Sequence, residues 1–261
     1  VIGVVERLSE IDPGFTGGLG RKRDAADELA RLHEDIRDLH ARLFAQGERA
    51  LLVVLQGMDT SGKDGAARSL FAALNPHAAR AWSFKAPTAE ELAHDFLWRC
   101  HARAPARGEI AIFNRSHYED VVTARVRGLV PEAVWRPRFA AIDAFEKLLT
   151  DGGTTVLKLF LHISRTEQKR RLEKRLADPT KQWKFDASDL RERGRWDAYM
   201  AAYQEAIDRC SPPHAPWHVV PADRKWYRNL AVARLVHAAL TAIDPRYPDR
   251  RDELSGVTVP D

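Results

Sequence analysis

"ALLVVLQGMDTSGKDGAARSLFAAL", residues 50–74, decides how the rest of the chain is read. It opens on a continuous apolar run bounded by Gly57, the signature of a strand buried on both faces of a parallel sheet. It closes on "AARSLFAAL", a helical stretch expected to stop at Asn75-Pro76. Between them lies Gly57-x-x-x-x-Gly62-Lys63, the spacing of a loop that cradles phosphate. Strand, Gly-rich turn and helix in that order separate a true phosphate loop from a chance match. Backbone N–H groups around Gly57, Gly62 and Gly65 would converge on phosphate oxygens, and the helix adds its positive N-terminal end. Lys63 would place a point charge on the outer phosphates.

The loop departs from the usual pattern at one position. Residue 64 should be Ser or Thr, whose hydroxyl ligates Mg²⁺; here it is Asp64, and a second acid, Asp59, sits inside the loop. A carboxylate facing phosphate is repulsive unless a cation lies between them. Mg²⁺ is such a cation, taking oxygen ligands and keeping several waters. Asp59 is therefore expected to be a metal ligand. Asp64 either shares that task or caps the positive helix end.

Further strands are expected at 79–84, 109–113, 154–163 and 217–221, with helices between them, one of them spanning 24–46 and closed by Gly47. Capping-box patterns mark starts at Thr88 with Glu91, Ser116 with Glu119 and Ser164 with Glu167. Five strands alternating with helices predict an α/β fold, a parallel five-stranded sheet sandwiched between helical layers. The expected organisation is an N-terminal arm (1–23), a single phosphotransferase-type domain (24–243) with a lid at about 165–196, and a tail (244–261). Two distant cysteines, the charged opening "VIGVVERLSE" and the lack of a long apolar run predict a cytoplasmic protein without a membrane span. The formal charge of +4 is too small for wholesale nucleic-acid binding, so no such partner is expected.

In "IFNRSHYED" (112–120) a strand ends where a metal-binding acid commonly stands, but the residue is Asn114, a neutral oxygen donor. Arg115 follows, able to fork onto phosphoryl oxygens as charge develops; turn, cap and solvated-charge roles are the alternative. Glu119 is either the third residue of a capping box or a ligand contact. Lys85, just after the second strand, stands where parallel strands line a ligand crevice. In the basic segment 165–196, Arg171 and Arg175 share a helix face, and Lys181 and Trp183 follow a Pro-broken turn. Such a lid places cations on the transferring group and excludes water. Trp183 would stack on a base or pack in the core.

Taken together, "GMDTSGKDG", "FNRSHYED" and "DPTKQWKF…GRWDAYMAAYQEAI" resemble the polyphosphate kinase 2 family over about residues 20–243. The resemblance implies Mg²⁺-dependent phosphoryl transfer between inorganic polyphosphate and AMP, ADP or ATP. It implies Asp59 on Mg²⁺, Lys63 on the phosphates, Arg115 on the transferring group, and Arg171 and Arg175 as lid arginines. It also implies a homo-oligomer, a tetramer being the suggested form. Asn-Arg-Ser-His-Tyr-Glu at 114–119 is similar to the subclass that phosphorylates both nucleoside mono- and diphosphates, which puts Glu119 near the acceptor nucleotide. An ATP-dependent kinase of a nucleoside monophosphate or small metabolite is the competing expectation.

Overall fold

A computed structural model describes residues 7–250, 255 and 257–259 of the chain. The apolar run forms β1 (Ala50–Gln56), every residue of which is buried. Around it stand β2 (Ala79–Trp82), β3 (Ile110–Asn114), β4 (Thr154–His162) and β5 (Trp217–Pro221) in the order β2-β3-β1-β4-β5, each pair parallel. The central position of β1 explains its composition: helices cover both faces, so no side chain on it meets water. Leu55 pairs with Asn114 on one side and Leu159 on the other. The carboxyl ends of β1, β3 and β4 are therefore level, and the loops leaving them share one edge, where open parallel sheets bind ligands.

The helices that matter here are α1 (Lys22–Gln46), α2 (Lys63–Phe71), α3 (Arg138–Asp151), α4 (Arg165–Ala177), α5 (Ala187–Gly194), α6 (Trp196–Arg209) and α7 (Lys225–Ile243). Helix α1 ends as expected on Gly47, whose φ of 66° lets its N–H close onto Leu43 O. It packs along α7. Helix α3 lies on β4, burying Phe139, Ile142 and Phe145.

Several boundaries differ from expectation. Helix α2 stops at Phe71, not at Asn75, because Ala73 and Leu74 bond three residues back (2.9 and 3.1 Å), which tightens the chain out of the α form. Strand β2 is two residues shorter than expected. Thr88 and Glu91 form the full capping box (2.9 and 3.2 Å). Ser116 instead accepts from Tyr118 N–H to open a 3₁₀ turn, and Glu119 turns to Thr123 (2.6 Å). Ser164 caps α4 through Glu167 N–H (3.0 Å), but the Glu167 carboxylate is taken by Arg170 and Arg171. Of the expected arm, residues 1–6 lie outside the described residues. The remainder is anchored where an extended segment was expected: Leu8–Glu10 is a 3₁₀ turn, Leu8 and Ile11 are buried, and Leu8 N–H donates to Gln204 (2.7 Å). The tail lies partly outside the described residues, and residues 245–250 form no helix or strand.

Strand β4 carries one charge into the core. Lys158 is fully buried and donates to Glu146, to Tyr118 Oη (2.9 Å) and to Cys210 O (2.7 Å). Glu146 also accepts from Tyr118 Oη (2.9 Å) and meets His117 Nε2 (3.1 Å). Burial alone would raise the Glu146 pKa, but His117 and Lys158 hold it below the usual carboxylate value. This cluster sits directly behind residues 114–120 and fixes their path. No helix among the described residues is long and apolar enough to cross a membrane.

Candidate active site

The phosphate loop leaves β1 at Gly57, with φ 149°; a Cβ there would stand 2.6 Å from Leu161 O. Gly62, at φ 101°, turns the chain into α2. Lys63 folds back across the loop instead of into solvent, donating to Gly57 O (2.6 Å) and Met58 O (3.2 Å). Burial and the nearby Arg115 charge lower its pKa, opposed by Asp59, Glu119 and Asp64. Gly57 O also accepts from Tyr203 Oη on α6 (3.2 Å). The loop is thus braced from both ends before any anion enters it.

Arg115 departs from the end of β3 in the left-handed region, φ 64°, a conformation a bulky side chain rarely adopts. Strain of this kind is kept where the surrounding structure over-determines it. Here it aims the guanidinium across the edge to Asp59, Nη2 to Oδ1 3.0 Å. Asn114 Nδ2 donates to Asp64 Oδ1 (2.6 Å), which leaves Oδ1 of Asn114 as its donor atom for a cation. Gln56, with its amide turned to accept from Ser116 N–H (3.1 Å), donates to Glu119 Oε1 (3.2 Å). The expected residues Gly57, Asp59, Gly62, Lys63, Asp64, Gly65, Asn114, Arg115 and Glu119 therefore converge on one edge.

They open onto a cavity of about 290 Å³. Its wall brings Asp59, Lys63, Arg115 and Glu119 together with the apolar Phe84, Leu129 and Val130 and with Asp120, Arg127 and Arg138. Lys85 is on this wall, and its carbonyl accepts from Arg99 (2.8 Å). Asp120 is held by Arg99 (3.2 Å) and Arg138 (3.6 Å); burial nonetheless raises its pKa. A wall that mixes charged and apolar side chains suits a ligand with a charged chain and a flat, hydrophobic group.

The lid residues part company with expectation. Arg171 does not reach toward a ligand. All five guanidinium N–H donors are used by protein: Nε by Glu167 (2.7 Å), Nη1 by Thr60 O and Ser61 O (2.9, 3.1 Å), and Nη2 by Ala222 O and Asp223 O (2.7, 2.8 Å). It clamps the outside of the phosphate loop to the end of β5. Arg175, one turn later, faces Asp189 on α5 at 3.6 Å. Lys181 pairs with Asp178 on the surface. Trp183 is 78 % exposed, so core packing is excluded, and it stands outside the cavity wall.

Other contributors were not foreseen. Gln168 Nε2 donates to Asp59 O (3.1 Å) while its Oε1 accepts from Arg193 (2.8 Å), joining the acid-bearing loop to α5. Glu192 on α5 meets Arg127 (3.1 Å) and the Tyr199 hydroxyl. Tyr199 and Tyr203 stand four apart in "DAYMAAY", a spacing that places both on one face of α6. That pair was the available signal.

Three comparisons agree with this architecture. The model of the family described as polyphosphate kinase 2 matches residues 20–248. The chain is similar to the AMP/ADP-polyphosphate phosphotransferase of Meiothermus ruber, 47% identical over 242 residues covering 92% of this chain and 91% of that protein. It is 38% identical to the ADP-polyphosphate phosphotransferase of Rhodopseudomonas palustris, over 94% of this chain and 89% of that one. The crystal structure of polyphosphate kinase 2 from Arthrobacter aurescens TC1 superposes with a TM-score of 0.92 at 44% identity, covering 95% and 89% of the two chains.

Proposed function

The chain belongs to the polyphosphate kinase 2 family, and from that premise we propose that it transfers phosphoryl groups between inorganic polyphosphate and AMP or ADP, giving ADP and ATP. The observation that carries the reading is the meeting of Asp59 and Arg115 at 3.0 Å over the mouth of a loop spanned by Lys63. An inorganic chain offers no base to recognise, so its binding must come from cations, backbone donors and a metal. Each is available at this one edge.

Phosphoryl transfer needs little covalent chemistry from the protein; placement and charge stabilisation are the larger share. The N–H groups of the loop and Lys63 would hold the donor chain. Arg115, pre-aimed by its strained backbone, would lie on the transferring group and neutralise its equatorial oxygens. The charged side chains of the cavity wall would take the acceptor phosphates beside Glu119, and the apolar ones, Phe84, Leu129 and Val130, its base. Two carboxylates and an amide oxygen, Asp59, Asp64 and Asn114, fit an oxygen-seeking divalent ion that draws its remaining ligands from phosphate and water. Held by these side chains, Mg²⁺ would supply positive charge against the phosphates. The lid segment would exclude water and so limit hydrolysis of the donor.

The test is incubation with Mg²⁺, polyphosphate and AMP, without ATP, with nucleotides followed by chromatography. ADP and then ATP are the expected products. ADP alone would keep the donor and narrow the acceptor. Product only when ATP replaces polyphosphate would overturn the reading in favour of an ATP-dependent kinase.

A further inference from the structure

Arg228 lies in the first turn of α7 and is 3 % exposed, although nothing in its sequence context marks it. Its Nε and Nη2 donate to Asn229 Oδ1 (3.2 and 2.7 Å), and Nη1 reaches Ser61 O at 3.5 Å. No carboxylate among the described residues pairs with it. The charge that acts on it is of its own sign, Arg171 beneath the same loop. Lys225 on its own helix is a further cation, and Glu167, the acid acting on Lys225, is held by Arg170 and Arg171. Burial and Arg171 bring its pKa down to about 10, so the guanidinium stays charged at neutral pH.

Two glycines of the phosphate loop are shaped around this group. A Cβ at Gly62 would fall 1.7 Å from Arg228 Nη1, and a Cβ at Gly65 would fall 2.8 Å from Nη2. Gly62 is required in any case by its φ of 101°. Gly65 is helical and has no such requirement, and the absence of a side chain there leaves the space that the guanidinium occupies. A buried cation without a counter-charge is costly, and here it is pressed against the backbone that would cradle a polyanion.

We propose that the counter-charge of Arg228 is the phosphoryl group bound in the loop, felt through the backbone of residues 61–65, so that Arg228 is a positioning residue that sets affinity for polyphosphate without touching it. This rests on the loop being the polyphosphate site. Before binding, Arg171 and Arg228 repel each other across the loop; an anion on the opposite face relieves that repulsion. The part of the cost that is repulsion is therefore returned on binding, which makes the empty loop less stable and the filled loop tighter.

Arg228→Gln, Arg228→Lys and Arg228→Met separate charge from packing. Melting temperature is read with and without Mg²⁺ and polyphosphate, and steady-state kinetics are followed at varied polyphosphate. Arg228→Gln is expected to melt no lower than wild type when empty and to gain less from polyphosphate. Its KM for polyphosphate should rise roughly tenfold, with kcat changed by less than about twofold. Arg228→Lys should stay near wild type in KM, and Arg228→Met should follow Gln, a comparison that stands if the Gln variant does not fold. Equal gains from polyphosphate in wild type and Arg228→Gln, or a KM that tracks packing and not charge across Lys and Met, would overturn the inference alone. A wild type that polyphosphate neither stabilises nor serves as donor would overturn the reading of the site and the inference with it.

Discussion

Helix α4 carries two arginines a turn apart, and they belong to different parts of the molecule. Arg171 is 6 % exposed, with every N–H committed to Glu167 or to carbonyls of the phosphate loop and the β5 end. Arg175 is 27 % exposed and has one 3.6 Å contact to Asp189. The first half of the helix is scaffold, tied to the phosphate loop, and the second half faces α5. A basic helix near a phosphate site is easily read as a row of ligand contacts. The contrast teaches that a guanidinium can serve a polyanion site just as well by tying down the carbonyls that would otherwise face it.

The sharpest reference point for that contrast is Arg115, which would touch the reacting group and whose guanidinium meets the protein at Asp59 (3.0 Å). Arg115→Ala is expected to lower kcat by on the order of 10³-fold or more with an unchanged melting temperature. A near-normal turnover would remove it from the transfer step and leave no residue to define the reacting side. Arg171→Ala should act in the opposite way. It removes the arginine donor from four carbonyls, leaving Glu167 to Arg170 alone, so a loss on the order of 3–5 kcal/mol in denaturant unfolding is expected, with activity falling because the loop is no longer held. If Arg171→Ala kept wild-type stability, the division of α4 into two functions would fail. Arg175→Ala is expected to cost roughly tenfold in kcat/KM for polyphosphate and less than about 0.5 kcal/mol of stability. Steady-state kinetics beside thermal melts would show it, and a stability loss matching that of Arg171 would erase the distinction.

The acid limb of stability offers a smaller, independent check on the scaffold side. The Glu146 carboxyl is held below its ordinary pKa, so it contributes stability above about pH 4.5, and that contribution drains away as pH falls through the folded value. Urea unfolding from pH 7 to pH 3 should therefore lose stability in wild type more steeply than in Glu146→Gln. Parallel slopes would mean the cluster behind residues 114–120 is not ionised as drawn. Least affected of all should be the two thiols. Cys100 and Cys210 are buried, which pushes each pKa up to about 12, so native protein should resist alkylation at neutral pH until it unfolds.

What was legible in the sequence follows the same division. Strands β1, β3 and β4 could be read because each is a largely apolar run buried along most of its length, whereas β2, at the sheet edge with Arg80 and Ala81 exposed, came out shorter than expected. The phosphate loop could be read because its chemistry is local to nine residues. Asp59 and Arg115 could be singled out as residue types out of place in their motifs, although their pairing across the edge needed the register of β1 and β3. Arg171 was misplaced because its partners are backbone carbonyls, and carbonyls leave no mark in a sequence. Arg228 and Tyr203 went unseen for the same reason: one packs on glycines, the other donates to a glycine oxygen, and both lie more than 130 residues from the loop they serve. Trp183 was weighed as a stacking or core residue, and its exposure came from the path of the Pro-broken turn, which composition does not encode.

The phosphate loop is written in residues 57–65, but the groups that hold it arrive at 171, 203 and 228. During synthesis at about 5–20 residues per second, the loop would emerge on the order of 10–30 s before Arg228 does. For roughly the first half of that interval β1 has no β4 beside it; Arg171 and then Tyr203 follow, and Arg228 is the last of the loop's supports to be made. The loop's full set of supports is therefore in place only as the last helix docks.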